Sequence, residues 1–141
     1  MKTFLIVLTV ILLIFLAFGA IYGSWMLISE PSGKNFMWTV ELLEGTPFKN
    51  FLIPGIVLFI VNGLLPLFIT VLVVKNAENY PWFVTFQGCV IIGWLTAEII
   101  FNKDLFSPLM HPLFYFIGIL FIGIGWFLKT TKVDSSNQLK V

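Results

Sequence analysis

Four long runs of apolar residues, almost free of charged side chains, account for most of this chain. The hydrocarbon core of a bilayer is about 30 Å thick, and an α-helix needs about 20 residues to cross it. The four runs approach or exceed that length and cover residues 4–28, 46–74, 80–101 and 112–128. We therefore predict an all-α polytopic membrane protein whose four transmembrane helices form one bundle.

The composition excludes an ordinary soluble domain. Charged residues make up 11% of the chain and hydrophobic residues 59%, whereas soluble domains have about 25% charged residues. The formal net charge is +1 and arginine is absent, so we expect no nucleic-acid partner, which would require a concentrated basic surface. The single cysteine, Cys89, excludes an internal disulfide.

The first run has an alternative interpretation. Lys2, the apolar stretch and the small residues Ala17, Gly19 and Ala20 also resemble a secretory signal with its cleavage site. The apolar run continues to Ile28, however, which is longer than the core of a signal and long enough to span. We interpret it as the first membrane span.

The charged residues between the spans predict the orientation. With four spans, both chain ends lie on one side, which then holds five lysines against three on the other side. Because cytoplasmic segments are enriched in lysine and arginine, we predict both termini in the cytoplasm. On this interpretation residues 1–128 form one membrane domain and residues 129–141 form a polar cytoplasmic tail.

The segment between the first two spans is long and has its own pattern. Phe36, Met37, Val40 and Leu43, with Trp38 beside them, follow a helical spacing, and acidic residues occupy the other side. The pattern predicts a short amphipathic helix in the outer membrane interface. A loop that caps the bundle is the alternative.

Small residues predict where helices approach closely in lipid, because hydrophobicity alone does not hold two apolar helices together there. Gly19 and Gly23 form a small-xxx-small pair in span one. Gly118 and Gly125 fall on nearly the same face of span four. We expect these positions to contact neighbouring helices.

Span two carries signals for its start and for its shape. Thr46 and Pro47 predict the N-cap and first position of the helix. Pro54 and Pro66 each remove a backbone donor and predict two kinks. Asn62, near the middle of the span, is interpreted as an inter-helix or backbone hydrogen-bonding group, with a ligand role as the alternative.

Span three carries a polar stripe. At about 100° per residue, Gln87, Trp94 and Glu98 fall on one helix face. Glu98 is the charged residue inside a span, and such a residue is by default a candidate functional group. Its position near the end of the run at Phe101 also allows a structural carboxylate that reaches interfacial water.

His111 precedes the fourth span on the same predicted side as Glu98, so the two could line one outward-opening cleft. The alternative is an ordinary interfacial histidine at a helix start. One histidine, one cysteine and scattered carboxylates lack the spacing of a metal site. No phosphate-binding loop or catalytic motif is present, and we expect no cofactor.

Several of these segments resemble a family of uncharacterised small bacterial integral membrane proteins with four predicted spans. The resemblance rests on Thr46-Pro47-Phe48, on Ile53-Pro54-Gly55, and on Trp94 followed by Glu98, where the family often has glutamine. It covers about residues 30 to 125 and implies a bacterial inner-membrane protein. It emphasises Gly55 beside Pro54 and supplies no activity.

The sequence favours a non-enzymatic scaffold, accessory subunit or lipid-binding module, with membrane lipid and a second copy or another membrane protein as partners. The alternative is a small oligomeric transporter or channel component that uses Asn62, Gln87 and Glu98 as polar positions. A lipid-modifying enzyme would require Glu98 and His111 to lie within hydrogen-bond reach of each other.

Overall fold

A computed structural model of the chain describes residues 1–138, with side chains as far as residue 131. The described part is helical and contains α1, α2, α3, α4 and α5, with a π-helical segment between α2 and α3. The bounds are α1 Lys2–Ser29, α2 Leu52–Leu58, the π segment Phe59–Leu64, α3 Leu65–Val74, α4 Tyr80–Phe101 and α5 Met110–Gln138.

Four stretches of helix are long and apolar enough to cross a membrane: Lys2–Ser29, Leu52–Val74, Tyr80–Phe101 and Met110–Thr131. The second of them, span two, joins α2, the π segment and α3. This confirms the predicted all-α fold with four candidate membrane helices. The third candidate span, α4, begins at Tyr80-Pro81, as predicted. Proline suits this position because an N–H in the first turn has no helical carbonyl to bond.

The bundle consists of two helix pairs. α1 packs along span two, α4 packs along α5, and contact between the pairs is less extensive. Glycines bring the members of each pair together. A Cβ at Gly55 would lie 2.9 Å from Leu27 Cβ in α1, and one at Gly88 would lie 2.5 Å from the carbonyl oxygen of Gly118 in α5.

A continuous apolar core joins the two pairs, mainly in the half of the bundle that contains the 75–79 turn. Aromatic residues anchor it, because Tyr80 and Phe121 are the largest of its fully buried side chains. The remaining buried members are Leu13, Leu16, Ile69, Val73, Val84, Ile91, Leu95, Ile117, Ile124 and Leu128.

Span two starts later than predicted, at Leu52 instead of Thr46. The Thr46 hydroxyl donates to the Leu43 carbonyl at 2.7 Å and accepts from the Phe48 backbone N–H at 3.2 Å. These bonds stabilise a local turn that competes with helix. The Asn50 side chain then accepts from the Leu52 N–H at 3.1 Å at the true start.

The two prolines of span two act differently from each other. Pro54 lies in the first turn of α2, which begins at Leu52. Its missing N–H therefore removes no helical hydrogen bond, and the cause of the kink predicted there is absent. Pro66 follows the π segment, in which the Leu65 N–H bonds to the Ile60 carbonyl, five residues earlier. The irregularity predicted for Pro66 therefore takes the form of a π segment on its N-terminal side.

Residues 30–51, which we call the cap segment, close one end of the bundle. The predicted amphipathic helix is absent from it, since the segment contains two separate 3₁₀ turns, Lys34–Phe36 and Val40–Leu43. Met37 has φ 58° and separates the turns, and it is 94% exposed instead of facing the bundle. The capping loop, the alternative from sequence, is the observed arrangement.

α5 does not end at Leu128, where the predicted span ends, but continues to Gln138. The sequence after Leu128 contains no glycine or proline that would stop a helix. Part of the predicted polar tail is therefore a helical extension of span four. Residues 139–141 of that tail lie outside the described residues.

Candidate functional site

Glu98 and His111 meet at the end of the bundle that the cap segment covers. Glu98 lies in the last turn of α4 and His111 in the first turn of α5, so the short connection between these helices brings them together. His111 Nε2 lies 3.4 Å from Glu98 Oε2. The distance is at the long end of polar contact, and Nε2 has no hydrogen bond within the described chain.

The other nitrogen of His111 determines where the ring carries its proton. Nδ1 accepts a hydrogen bond from the Ser107 backbone N–H at 3.0 Å, so Nδ1 has no hydrogen of its own. A neutral imidazole must then carry its proton on Nε2, the atom nearest to Glu98. His111 therefore presents a donor to the carboxylate.

Trp94 lies one helical turn before Glu98 on the same face of α4. Together these two residues form a shared wall of two cavities. The half of the predicted polar stripe nearest the cap segment therefore faces open space inside the bundle.

The smaller cavity lies directly beneath the cap segment and has a volume of about 170 Å³. Its walls are almost entirely apolar, and among the described residues that line it Glu98 is the charged one. Aromatic rings from the cap segment and α4 supply much of the wall. They are Phe36, Trp38, Phe48, Phe51, Trp94 and Phe101.

The larger cavity, about 440 Å³, lies between the two helix pairs. It exists because the pairs join through the core at the opposite end and contact each other less near the cap segment. Helices α1, α2, α4 and α5 all line it with apolar side chains. Its polar positions are Asn62, Glu98, Ser107 and His111, with Asn62 deepest along its helix from the cap segment.

Gln87 and Asn62 form a separate polar contact, deeper in the bundle. Gln87 Nε2 donates to Asn62 Oδ1 and to the Val61 carbonyl, both at 3.2 Å. The π segment explains the second bond, because the Leu65 N–H bonds to Ile60 and the next residue is a proline without an N–H. The Val61 carbonyl therefore lacks a helical donor, and Gln87 supplies one.

This deep contact leaves two polar atoms without partners. Asn62 Nδ2 and Gln87 Oε1 are buried and make no hydrogen bond to the described residues. Asn62 and Gln87 are 1% and 0% exposed. The predicted stripe thus divides into two places: Gln87 links α4 to span two, whereas Glu98 faces His111 and the cavities.

Of the glycines that are predicted to contact neighbouring helices, those in α5 do so closely and those in α1 do not. Gly118 and Gly125 both lie against α4, where a Cβ added at Gly118 would collide with Ile92 and Ile91 and one added at Gly125 would collide with Thr85. Gly23 makes only an ordinary contact with span two. Gly19 does not contact a helix: it lines the larger cavity, and an added Cβ would have no atom within 4 Å.

The cap segment is fixed by hydrogen bonds to the end of α4 and within the segment itself. Asn102 at the end of α4 donates to the Leu42 carbonyl at 3.1 Å, and the Phe51 N–H donates to the Pro31 carbonyl at 2.9 Å. Ser32 donates to the exposed Glu30 carboxylate through its hydroxyl at 2.7 Å. That bond, assisted by the Ser32 N–H, holds the pKa of Glu30 below its ordinary value.

Most of the aromatic wall cannot be predicted from the sequence. Phe48, Phe51 and Phe101 fall within predicted spans or at their boundaries, and nothing in their spacing indicates that they surround one cavity. Gly33 is the residue whose type could have indicated this close packing of aromatic rings. Its φ of +86° and the 2.8 Å between its added Cβ and the Phe51 ring show that only glycine fits beneath these aromatic residues.

Glu98 and His111 do not complete a metal site in the described part of the chain, where no three His, Cys, Asp or Glu residues cluster. Comparisons with protein families, with curated proteins and with solved structures find no match for this chain. The resemblance to small bacterial four-span proteins is therefore left as a prediction.

Proposed function

We propose that this chain is an integral membrane protein that acts as a non-enzymatic binding module and holds one amphiphilic molecule between its two helix pairs. The larger cavity is the observation that carries the proposal. Apolar residues from all four candidate spans line it, and three of its polar residues, Glu98, Ser107 and His111, gather toward the cap segment. An amphiphile has the same arrangement, with an apolar chain and one polar end.

The location of the cavity also supports the proposal. It lies between two helix pairs that contact each other less near the cap segment, so a chain from the surrounding lipid can enter sideways. The opposite half of the bundle is filled by the apolar core, with Phe121 and Tyr80 fully buried. Holding a molecule at one end requires no path through that core.

The test measures contact between an amphiphile and the cavity. ω-Bromodecanol quenches tryptophan fluorescence on contact, and Trp38 and Trp94 both line the larger cavity. Trp25, Trp82 and Trp126 are exposed and are replaced by phenylalanine to remove their signal. In uncharged maltoside micelles we expect quenching that saturates at one molecule per chain.

Gly19 offers a variant that fills the cavity without disturbing a helix contact. Gly19→Leu places a side chain where an added Cβ meets no atom within 4 Å. Gly93 has equally open surroundings but lines neither cavity, so Gly93→Leu is the matched control. We expect saturable quenching to disappear in Gly19→Leu and to persist in Gly93→Leu. Equal quenching in both variants would contradict the proposal.

The contact between Glu98 and His111 favours one second candidate, a membrane enzyme that acts on a lipid. A proton donor and a carboxylate at 3.4 Å are a plausible acid and base pair. The two functions differ in what happens to the ligand. A binding module releases it unchanged, whereas an enzyme alters its mass, and mass spectrometry after incubation with membrane lipids separates these outcomes.

A further inference from the structure

The aromatic wall of the smaller cavity narrows the kind of polar group that this site accepts. Rings from the cap segment pack against one another: Phe36 stacks on Trp38 with centroids 4.8 Å apart, and Trp38 meets Phe51 at a tilt with centroids 5.4 Å apart. Trp94 and Phe101 enter the same cavity from α4. Clustered aromatic faces attract cations, and quaternary ammonium groups in particular.

The charge that lines the cavities also favours a cationic group. Glu98 lines both cavities, and its side chain is 29% exposed, so a ligand can reach the carboxylate. No lysine lines either cavity within the described residues. α5 presents His111, which meets the carboxylate with a neutral donor on Nε2, and the cap segment and span two present no charged side chain to the cavities. Glu98 therefore lacks a cationic partner among the residues that line the cavities.

The absence of lysine from the described walls of the cavities disfavours a phosphate-bearing lipid. The chain has no arginine, and a phosphodiester beside Glu98 would meet a like charge with no lysine to balance it. An alkylammonium group without phosphate has no such penalty. The smaller cavity, at about 170 Å³, is also large enough for such a group. Its volume is more than ten times the roughly 10–15 Å³ that a single water needs.

The two cavities are adjacent and share several lining residues, so one molecule can occupy both. The shared residues are Phe36, Trp38, Leu58, Trp94, Glu98 and Leu105. We propose that the site binds a single-chain cationic amphiphile, with its ammonium group among the aromatic rings beside Glu98 and its chain between the helix pairs. This inference rests on the proposed function and adds the chemical class of the ligand.

The test is a competition in the same fluorescence assay. Decyltrimethylammonium and decanol have the same chain and differ in charge, and each is titrated against bound ω-bromodecanol. We expect decyltrimethylammonium to displace the probe at a concentration about tenfold lower than decanol does, as a desolvated cation–π contact and an ion pair together predict. Decylphosphocholine, which adds a phosphate between the same ten-carbon chain and a choline group, should gain no such advantage.

Glu98→Gln removes the charge and keeps the shape of the side chain. We expect it to make decyltrimethylammonium and decanol equally effective competitors, while the probe itself still binds. Glu44→Gln is the matched control, because Glu44 lies exposed in the cap segment and lines neither cavity. Trp38→Phe, which leaves Trp94 as the fluorescent reporter, should reduce the preference for the cation several-fold without abolishing it.

The outcomes separate the two proposals. If the probe does not bind the parent protein, the proposed function fails. If the probe binds but the two competitors are equally effective, or if Glu98→Gln retains the tenfold preference, the inference fails and the binding function stands. Displacement by decylphosphocholine at the lower concentration would assign the site to a zwitterionic amphiphile and would also overturn the inference.

Discussion

Substitution of Gln87 tests the interpretation that span two depends on a side chain from α4. Gln87→Leu keeps a similar volume but removes both hydrogen bonds that Nε2 donates at 3.2 Å. The Val61 carbonyl, which has no helical donor beside Pro66, and Asn62 Oδ1 then lose their donor in an apolar interior.

The expected cost follows from those contacts. A buried polar group left without a partner costs about 1–3 kcal/mol, whereas inter-helix hydrogen bonds in membranes average about 0.6 kcal/mol and reach about 1.7. Gln87 Oε1 has no hydrogen-bond partner among the described residues, so its removal returns part of the loss. We expect Gln87→Leu to lower the free energy of unfolding by about 1–2 kcal/mol.

The measurement is reversible unfolding in mixed maltoside and dodecyl sulfate micelles, followed by circular dichroism. Asn62→Leu and the double variant complete a cycle, which isolates the coupling between the two side chains. We expect a coupling of about 0.6–1.7 kcal/mol. Additive effects of the two substitutions, or an unchanged stability in Gln87→Leu, would refute the role assigned to this contact.

Three further predictions concern packing, the cap segment and orientation. Gly88→Ala should lower the unfolding free energy by about 1–3 kcal/mol, because its Cβ meets the Gly118 carbonyl, whereas Gly93→Ala should not; equal effects would contradict the close crossing of α4 and α5. Gly33→Ala should loosen the cap segment, since φ is +86° and Phe51 is 2.8 Å away, and faster tryptic cleavage after Lys34 measures this. A fluorescent protein fused to the C-terminus should fold and fluoresce in bacterial cells if that end is cytoplasmic, as the lysine distribution predicts, and a periplasmic alkaline phosphatase fusion should stay inactive.

The sequence was sufficient for the helices because a spanning helix satisfies its own backbone hydrogen bonds. Hydropathy therefore located Tyr80–Phe101 at its observed bounds. It failed at the start of span two, where the Thr46 hydroxyl bonds to Leu43 and Phe48. That competition between a local turn and a helix cannot be read from residue type, because threonine suits both.

The candidate site was only partly predictable. Helical periodicity placed Gln87 and Glu98 on one face of α4. The predicted topology placed His111 on the same side of the membrane as Glu98. The cavities depend on how far the two helix pairs diverge, which no single helix encodes. The sequence could not decide between an amphipathic helix and a capping loop for a related reason, because the left-handed conformation at Met37 interrupts a pattern that is typical of one helix.

The π segment has a consequence for the register of span two. A π turn contains one residue more than the α turn it replaces, so the segment acts as a one-residue insertion. Each residue of an α-helix turns the chain by about 100°. Deletion of one residue between Phe59 and Leu64 would rotate the half beyond Pro66 by that angle and turn Ile69 and Val73, now 0% and 3% exposed, away from the core. The two halves of span two therefore face their partners only because the helix between them is one residue too long.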